Sequence, residues 1–124
     1  MVISNLSSES LTKINESAFE GCTKLTGQLN LPNLNSLGQN AFYKTNISGE
    51  VNLPNLNSIE SGAFRGTKVT SIVNLGNVTS VTGFEDCTSL TTINLPSSCN
   101  KLSYNAFKNC TNLILPNTLF TTIS

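Results

Sequence analysis

Residues 51–64 read Val51-Asn52-Leu53-Pro54-Asn55-Leu56-Asn57-Ser58-Ile59-Glu60-Ser61-Gly62-Ala63-Phe64, and the two ends of this stretch return along the chain. The Ala-Phe end recurs as Ala18-Phe19, Ala41-Phe42 and Ala106-Phe107, with Gly83-Phe84 as a variant. These five phenylalanines are spaced 23, 22, 20 and 23 residues apart, and a small side chain follows each by three: Cys22, Thr45, Thr67, Cys87, Cys110. The Leu-Pro end recurs as Leu31-Pro32, Leu95-Pro96 and Leu115-Pro116, with Leu75-Gly76 between. Leu6 opens this column, because Leu6 to Ile14 and Leu115 to Ile123 are the same eight-residue step. Two independent columns with one shared period make the chain a repeat array.

Within a unit, Leu29-Asn30-Leu31, Val51-Asn52-Leu53, Val73-Asn74-Leu75 and Ile93-Asn94-Leu95 alternate apolar and polar. That pattern predicts a short strand with asparagine outward and its neighbours inward. Proline or glycine follows directly and stops the strand, since proline lacks the donor a ladder needs. Residues 34–37, 56–59 and 78–81 read as a second short extended segment. The Ala-Phe step then reads as a tight turn or a single 3₁₀ turn, too short for a regular α-helix. One unit of about 22 residues cannot bury its own apolar side chains, so units must stack, with equivalent strands parallel and about 4.8 Å apart. The leucine, isoleucine and phenylalanine columns then become ladders inside a β-rich solenoid of about five units.

The order Leu-Pro-x-Leu-x-Ser-Ile, then Ala-Phe-x-x-Cys-x-x-Leu, resembles the BspA-type leucine-rich repeat of bacterial and protozoan surface proteins and some gut bacteriophage proteins. The run Cys87-Thr88-Ser89-Leu90-Thr91-Thr92-Ile93-Asn94-Leu95-Pro96-Ser97-Ser98 lies close to its consensus, as does Asn105-Ala106-Phe107-Lys108-Asn109-Cys110. The resemblance covers residues 6–123. It implies a leucine-rich-repeat solenoid with short parallel strands on a concave face and short strands and 3₁₀ turns elsewhere. It also implies a scaffold for binding or adhesion that carries no catalytic motif. Residues 1–124 are expected to form one solenoid domain, either whole or as a fragment or cap of a longer array. Two units depart from the pattern: the fourth is two residues short between Val81 and Phe84, and the fifth about three short between Cys110 and Leu115. Both shortenings are expected to tighten the coil locally and leave the stack intact.

Composition narrows the function. Seven Lys and Arg balance seven Asp and Glu, which argues against nucleic acid, whose binding rests on clustered cations. Histidine is absent, which removes Ser-His-Asp and Cys-His catalysis and His-containing zinc sites. Charged residues make up 11%, and 18 Asn, 16 Ser and 15 Thr supply the polarity instead. The seven carboxylates scatter by unit and phase, and no cofactor motif, phosphate loop or C-x-x-C pair occurs. Cys22, Cys87 and Cys110 share a column and read as small buried thiols, with a Cys87–Cys110 bridge as the alternative. No basic residue precedes Lys13 and no apolar run reaches seven, so the segment does not read as a secretory signal. With Ser or Thr at 31 positions, the five N-x-S/T sequons are what chance supplies.

The most regular outward feature is the amide row Asn30, Asn52, Asn74 and Asn94, with Gln28, Glu50, Ile72 and Thr92 beside it. Such a row suits hydrogen bonding to a protein backbone or a glycan; the alternative is that it only solvates an exposed face and ladders with its neighbours. It lacks the aromatic platform usual for sugars, since Tyr43 and Tyr104 fall by the Ala-Phe turns. The residues therefore suggest a non-catalytic leucine-rich-repeat module of surface or adhesion type that binds protein or glycan through this row. The alternative is a structural part, such as a bacteriophage virion or tail component, that self-associates through its solenoid ends.

Overall fold

The computed structural model describes residues 2–114. Ten short strands follow one another with no helix among the described residues: β1 (Ile3–Ser4), β2 (Lys13–Ile14), β3 (Leu25–Gly27), β4 (Ser36–Leu37) and β5 (Asn46–Asn52). They continue with β6 (Ser58–Ile59), β7 (Lys68–Asn74), β8 (Ser80–Val81), β9 (Thr92–Ile93) and β10 (Lys101–Leu102). Odd-numbered strands pair in parallel in the order β1-β3-β5-β7-β9, while β2-β4-β6 and β8-β10 form two smaller parallel sheets. Every crossover joins a strand to its equivalent one coil later, as a parallel solenoid requires. The chain is a leucine-rich-repeat solenoid.

Its interior is the set of stacked columns read from the repeat. Leu31, Leu53 and Leu75 are buried, as are Leu34, Leu56 and Val78, and Leu37, Ile59 and Val81. Phe19, Phe42, Phe64, Phe84 and Phe107 form one continuous stack with ring centroids 5.1–5.8 Å apart. Offset stacking of this kind adds to the hydrophobic gain from burial. The short fourth unit does not interrupt it, because Phe64 and Phe84 lie 5.1 Å apart. Cys99 fills the Leu34, Leu56, Val78 column: its N–H bonds the Pro96 carbonyl as Leu56 N–H bonds that of Leu53.

The strand that the alternating triplets predict begins earlier in the chain. The main sheet uses Leu25–Gly27 and Asn46–Asn52, and Leu29-Asn30-Leu31 contributes only a single bridge between Asn30 and Ser7. Side chains replace part of the ladder there. Asn5 Oδ1 accepts from Gln28 N–H at 3.0 Å, and Gln28 Oε1 accepts from Glu50 N–H at 3.1 Å. In the fourth coil the inward residue is Ile72, not Val73. Pairing runs Glu50 with Ser71, Val51 with Ile72, then Asn52 with Asn74, which leaves Val73 unmatched in a bulge. Bulges add one residue to one strand and turn its side chain outward. Val73 is accordingly 37% exposed and Ile72 buried.

The Ala-Phe segments are successive turns and not 3₁₀ helix. In the second coil Ala41, Tyr43 and Thr45 N–H groups bond three residues back, while Asn40, Phe42 and Lys44 N–H groups bond carbonyls of the next coil. A left-handed residue two after each phenylalanine (Gly21, Lys44, Gly66, Asp86, Asn109) permits this alternation by breaking the helical run. The shortening between Cys110 and Leu115, the Leu115-Pro116 pair and Ile123 extend outside the described residues.

Candidate functional site

Asparagines fasten one coil to the next. Asn33 Nδ2 donates to the Glu9 carbonyl at 2.6 Å, Asn46 to that of Thr23 at 2.7 Å, and Asn55 to that of Pro32 at 2.8 Å. Asn112 repeats the pattern on Thr88 at 2.8 Å. Each such bond contributes about 1 kcal/mol net. The neutral polar composition is therefore partly structural, which the sequence signalled only as a count of asparagines.

The amide row is divided by the same chemistry. Asn30 Nδ2 donates to Ser7 Oγ at 3.2 Å and Asn94 Nδ2 to the Val73 carbonyl at 3.1 Å. Asn74 turns back on its own chain, and its Oδ1 accepts from Gly76 N–H at 2.8 Å. Asn52 is exposed opposite Asn74 in the sheet. Gln28, Glu50 and Thr92 are also exposed. Because of the bulge, Ser71 stands between Glu50 and Thr92 where Ile72 was expected. Val73, Asn74, Gly76, Asn94, Pro96 and Ser97 line a shallow hollow of about 290 Å³ between the fourth and fifth coils. This hollow lies at the bulge end of the row.

The backbone order, the stacked phenylalanines and the Leu-Pro column agree with the comparison to family models, in which the BspA type Leucine rich repeat region matches residues 3–114 in six copies. The chain belongs to the BspA-type leucine-rich repeat family. No curated protein and no solved structure matched it.

In this BspA-type array three of the five small residues that stand three after a phenylalanine donate to a phenylalanine carbonyl. Thr45 Oγ1 donates to Phe42 O at 2.9 Å, Cys87 Sγ to Phe64 O at 3.2 Å, and Cys110 Sγ to Phe84 O at 3.0 Å. All four cysteines are free. Cys87 is buried, but Cys110 is half-buried and Cys22 exposed, which corrects the expectation of three buried thiols. Among the described residues no coil lies beneath Cys22; it borders an apolar hollow with Ile3, Phe19 and Leu25. Burial pushes the Cys87 thiol up to about 12 and also raises that of Cys110, so neither is poised as a nucleophile. No cluster of metal-ligating side chains occurs among the described residues, and no helix there is long and apolar enough to cross a membrane.

Proposed function

We propose that this leucine-rich-repeat domain is a non-catalytic binding module of surface or adhesion type, and that it receives a protein segment on its long-strand face. The carrying observation is the hollow at the bulge, where an exposed Val73 is ringed by Asn74, Asn94 and Ser97. An apolar contact bordered by hydrogen-bonding groups suits a peptide side chain and its backbone. The outward neighbours Gln28, Asn30, Glu50, Asn52 and Thr92 extend the same surface along the stack. A sugar is the weaker occupant of this face, because neither tyrosine lies on it.

Panning a random peptide library against the domain tests the reading. Peptides enriched on the native domain are expected to lose binding to Val73→Glu, which alters an exposed side chain and leaves the core intact. Enriched peptides indifferent to Val73→Glu and to Asn52→Ala together would refute the assignment of this face.

A further inference from the structure

The two ends of the coil stack are unlike, and each presents what the other lacks. Along the Ala-Phe turns the hydrogen bonds between coils run in one direction. Phe19 N–H donates to the Ala41 carbonyl and Gly21 N–H to that of Tyr43, and the second, third and fourth coils repeat the step on the coil that follows. The last turn therefore leaves two donors over, the Phe107 and Asn109 N–H groups, and the first turn two acceptors, the Ala18 and Glu20 carbonyls. None of these four groups has a backbone partner among the described residues. Ala18 is accordingly exposed, whereas Ala41, Ala63 and Ala106 are buried.

The side chains follow the backbone. Phe19 and Phe107 close the aromatic stack at opposite ends and are half-buried, while the three rings between them are fully buried. Beside Phe19, Ile3, Cys22 and Leu25 border the apolar hollow of about 320 Å³, and Val2 and Ile3 are 65% and 41% exposed. The residue after each phenylalanine runs Glu20, Tyr43, Arg65, Glu85, Lys108. Arg65, Glu85 and Lys108 alternate in sign and line one hollow with Asp86 and Asn109. Glu20 is the next sign in that series. Residues 92–114 carry Lys101 and Lys108 and no carboxylate, while in residues 1–27 Glu9, Glu16 and Glu20 outnumber Lys13 and Lys24.

These ends fit each other and not themselves. We propose that the N-terminal end binds the C-terminal end of a second copy of this chain. Phe107 then stacks on Phe19 of the second copy at the 5.1–5.8 Å spacing of the internal rings. Lys108 faces Glu20 of that copy, and the two spare N–H groups reach its Ala18 and Glu20 carbonyls. Joining two N-terminal ends sets carbonyl against carbonyl and Glu20 against Glu20. Because donor and acceptor lie on different ends, the contact is heterologous and repeats along an open assembly. Residues 115–123 repeat the Leu6-to-Ile14 step and are the rival within the chain for the strand half of the C-terminal end, which keeps the association weak. They contain no Ala-Phe step and offer nothing to the turn half.

Light scattering of the full chain is expected to show a monomer of 13.2 kDa at about 1 μM and longer assemblies toward about 1 mM. Glu20→Lys and Lys108→Glu should each weaken association about tenfold by setting like charges together, and mixing the two variant chains should restore one joint per pair. Cys22 and Cys110 supply a second reading, since each stands three after its phenylalanine. Within one chain they are four coils apart, about 19 Å, but head-to-tail contact brings Cys110 within disulfide reach of Cys22 in the next copy. Diamide takes up the two electrons and two protons released per disulfide, and the bridge found by mass spectrometry should join Cys110 of one copy to Cys22 of another. Val73→Glu should leave assembly unchanged, which separates failure of this contact from failure of the peptide-binding face. A monomer at every concentration, growth indifferent to both charge reversals, or a bridge from Cys22 to Cys22 overturns the proposal.

Discussion

Phe64→Ala probes the central premise that stacking of coils, and not any single coil, holds the fold. Phe64 is 0% exposed and stacked on both faces, 5.6 Å from Phe42 and 5.1 Å from Phe84. Truncating a fully buried phenylalanine costs about 3–5 kcal/mol through lost transfer energy and the cavity left behind. Here the cavity opens between two neighbouring rings, each of which also loses an aromatic partner, so the upper part of that range applies. Phe19 is only half-buried and has one stacked neighbour, Phe42. Phe19→Ala should therefore cost roughly half as much. In urea, followed by far-ultraviolet circular dichroism, a loss of about 4 kcal/mol lowers the midpoint by about 2 M if m is about 2 kcal/mol/M. A broadened or two-step transition for Phe64→Ala alone would show the two halves of the stack uncoupling. A loss below about 1 kcal/mol, or one equal to that of Phe19→Ala, would refute the continuous aromatic spine.

Two apparent blemishes in the repeat should resist repair. Gly76 stands where other units have proline, at φ +62°, and a Cβ there would meet the Leu56 backbone; Gly76→Pro should lower stability by about 2 kcal/mol or more in a thermal melt. Gly83 replaces alanine at φ +97° with a Cβ position 2.9 Å from Ala63 N, so Gly83→Ala should destabilise and not stabilise. Thiol titration of the folded protein with a disulfide reagent should label Cys22 fast, Cys110 more slowly, and Cys87 and Cys99 only after denaturation. Because the folded Cys87 thiol lies at about 12 and an unfolded one at about 8.5, its stabilising contribution is full below about pH 8.5 and is lost as pH rises toward 12. Cys87→Thr, matching Thr45 and Thr67 in its column, should remove that part of the alkaline decline in the melting temperature.

Periodicity alone carried the architecture. The phenylalanine spacing, the Leu-Pro column and the stop after each strand name a stacked parallel coil, because an apolar column at fixed period can be buried only by its own copies. The five-membered aromatic stack and the three leucine-type ladders lie where those columns put them. The resemblance to the BspA-type repeat rested on the same residues and named the same family.

The details that make surfaces depended on tertiary pairing. Val73 and Ile72 are both β-branched and adjacent, and alternation cannot say which faces inward; the register against Val51 decides it. Gln28 and Asn5 are unremarkable polar residues until their side chains are seen completing a ladder between coils. Arg65, Glu85 and Asn109 belong to different coils at least twenty residues apart, and only stacking brings them to one hollow. Sequence determined the columns because burial repeats with the chain's own period. The structure decided register and the hollows between coils because those depend on which atoms of neighbouring coils meet, and no single coil encodes that.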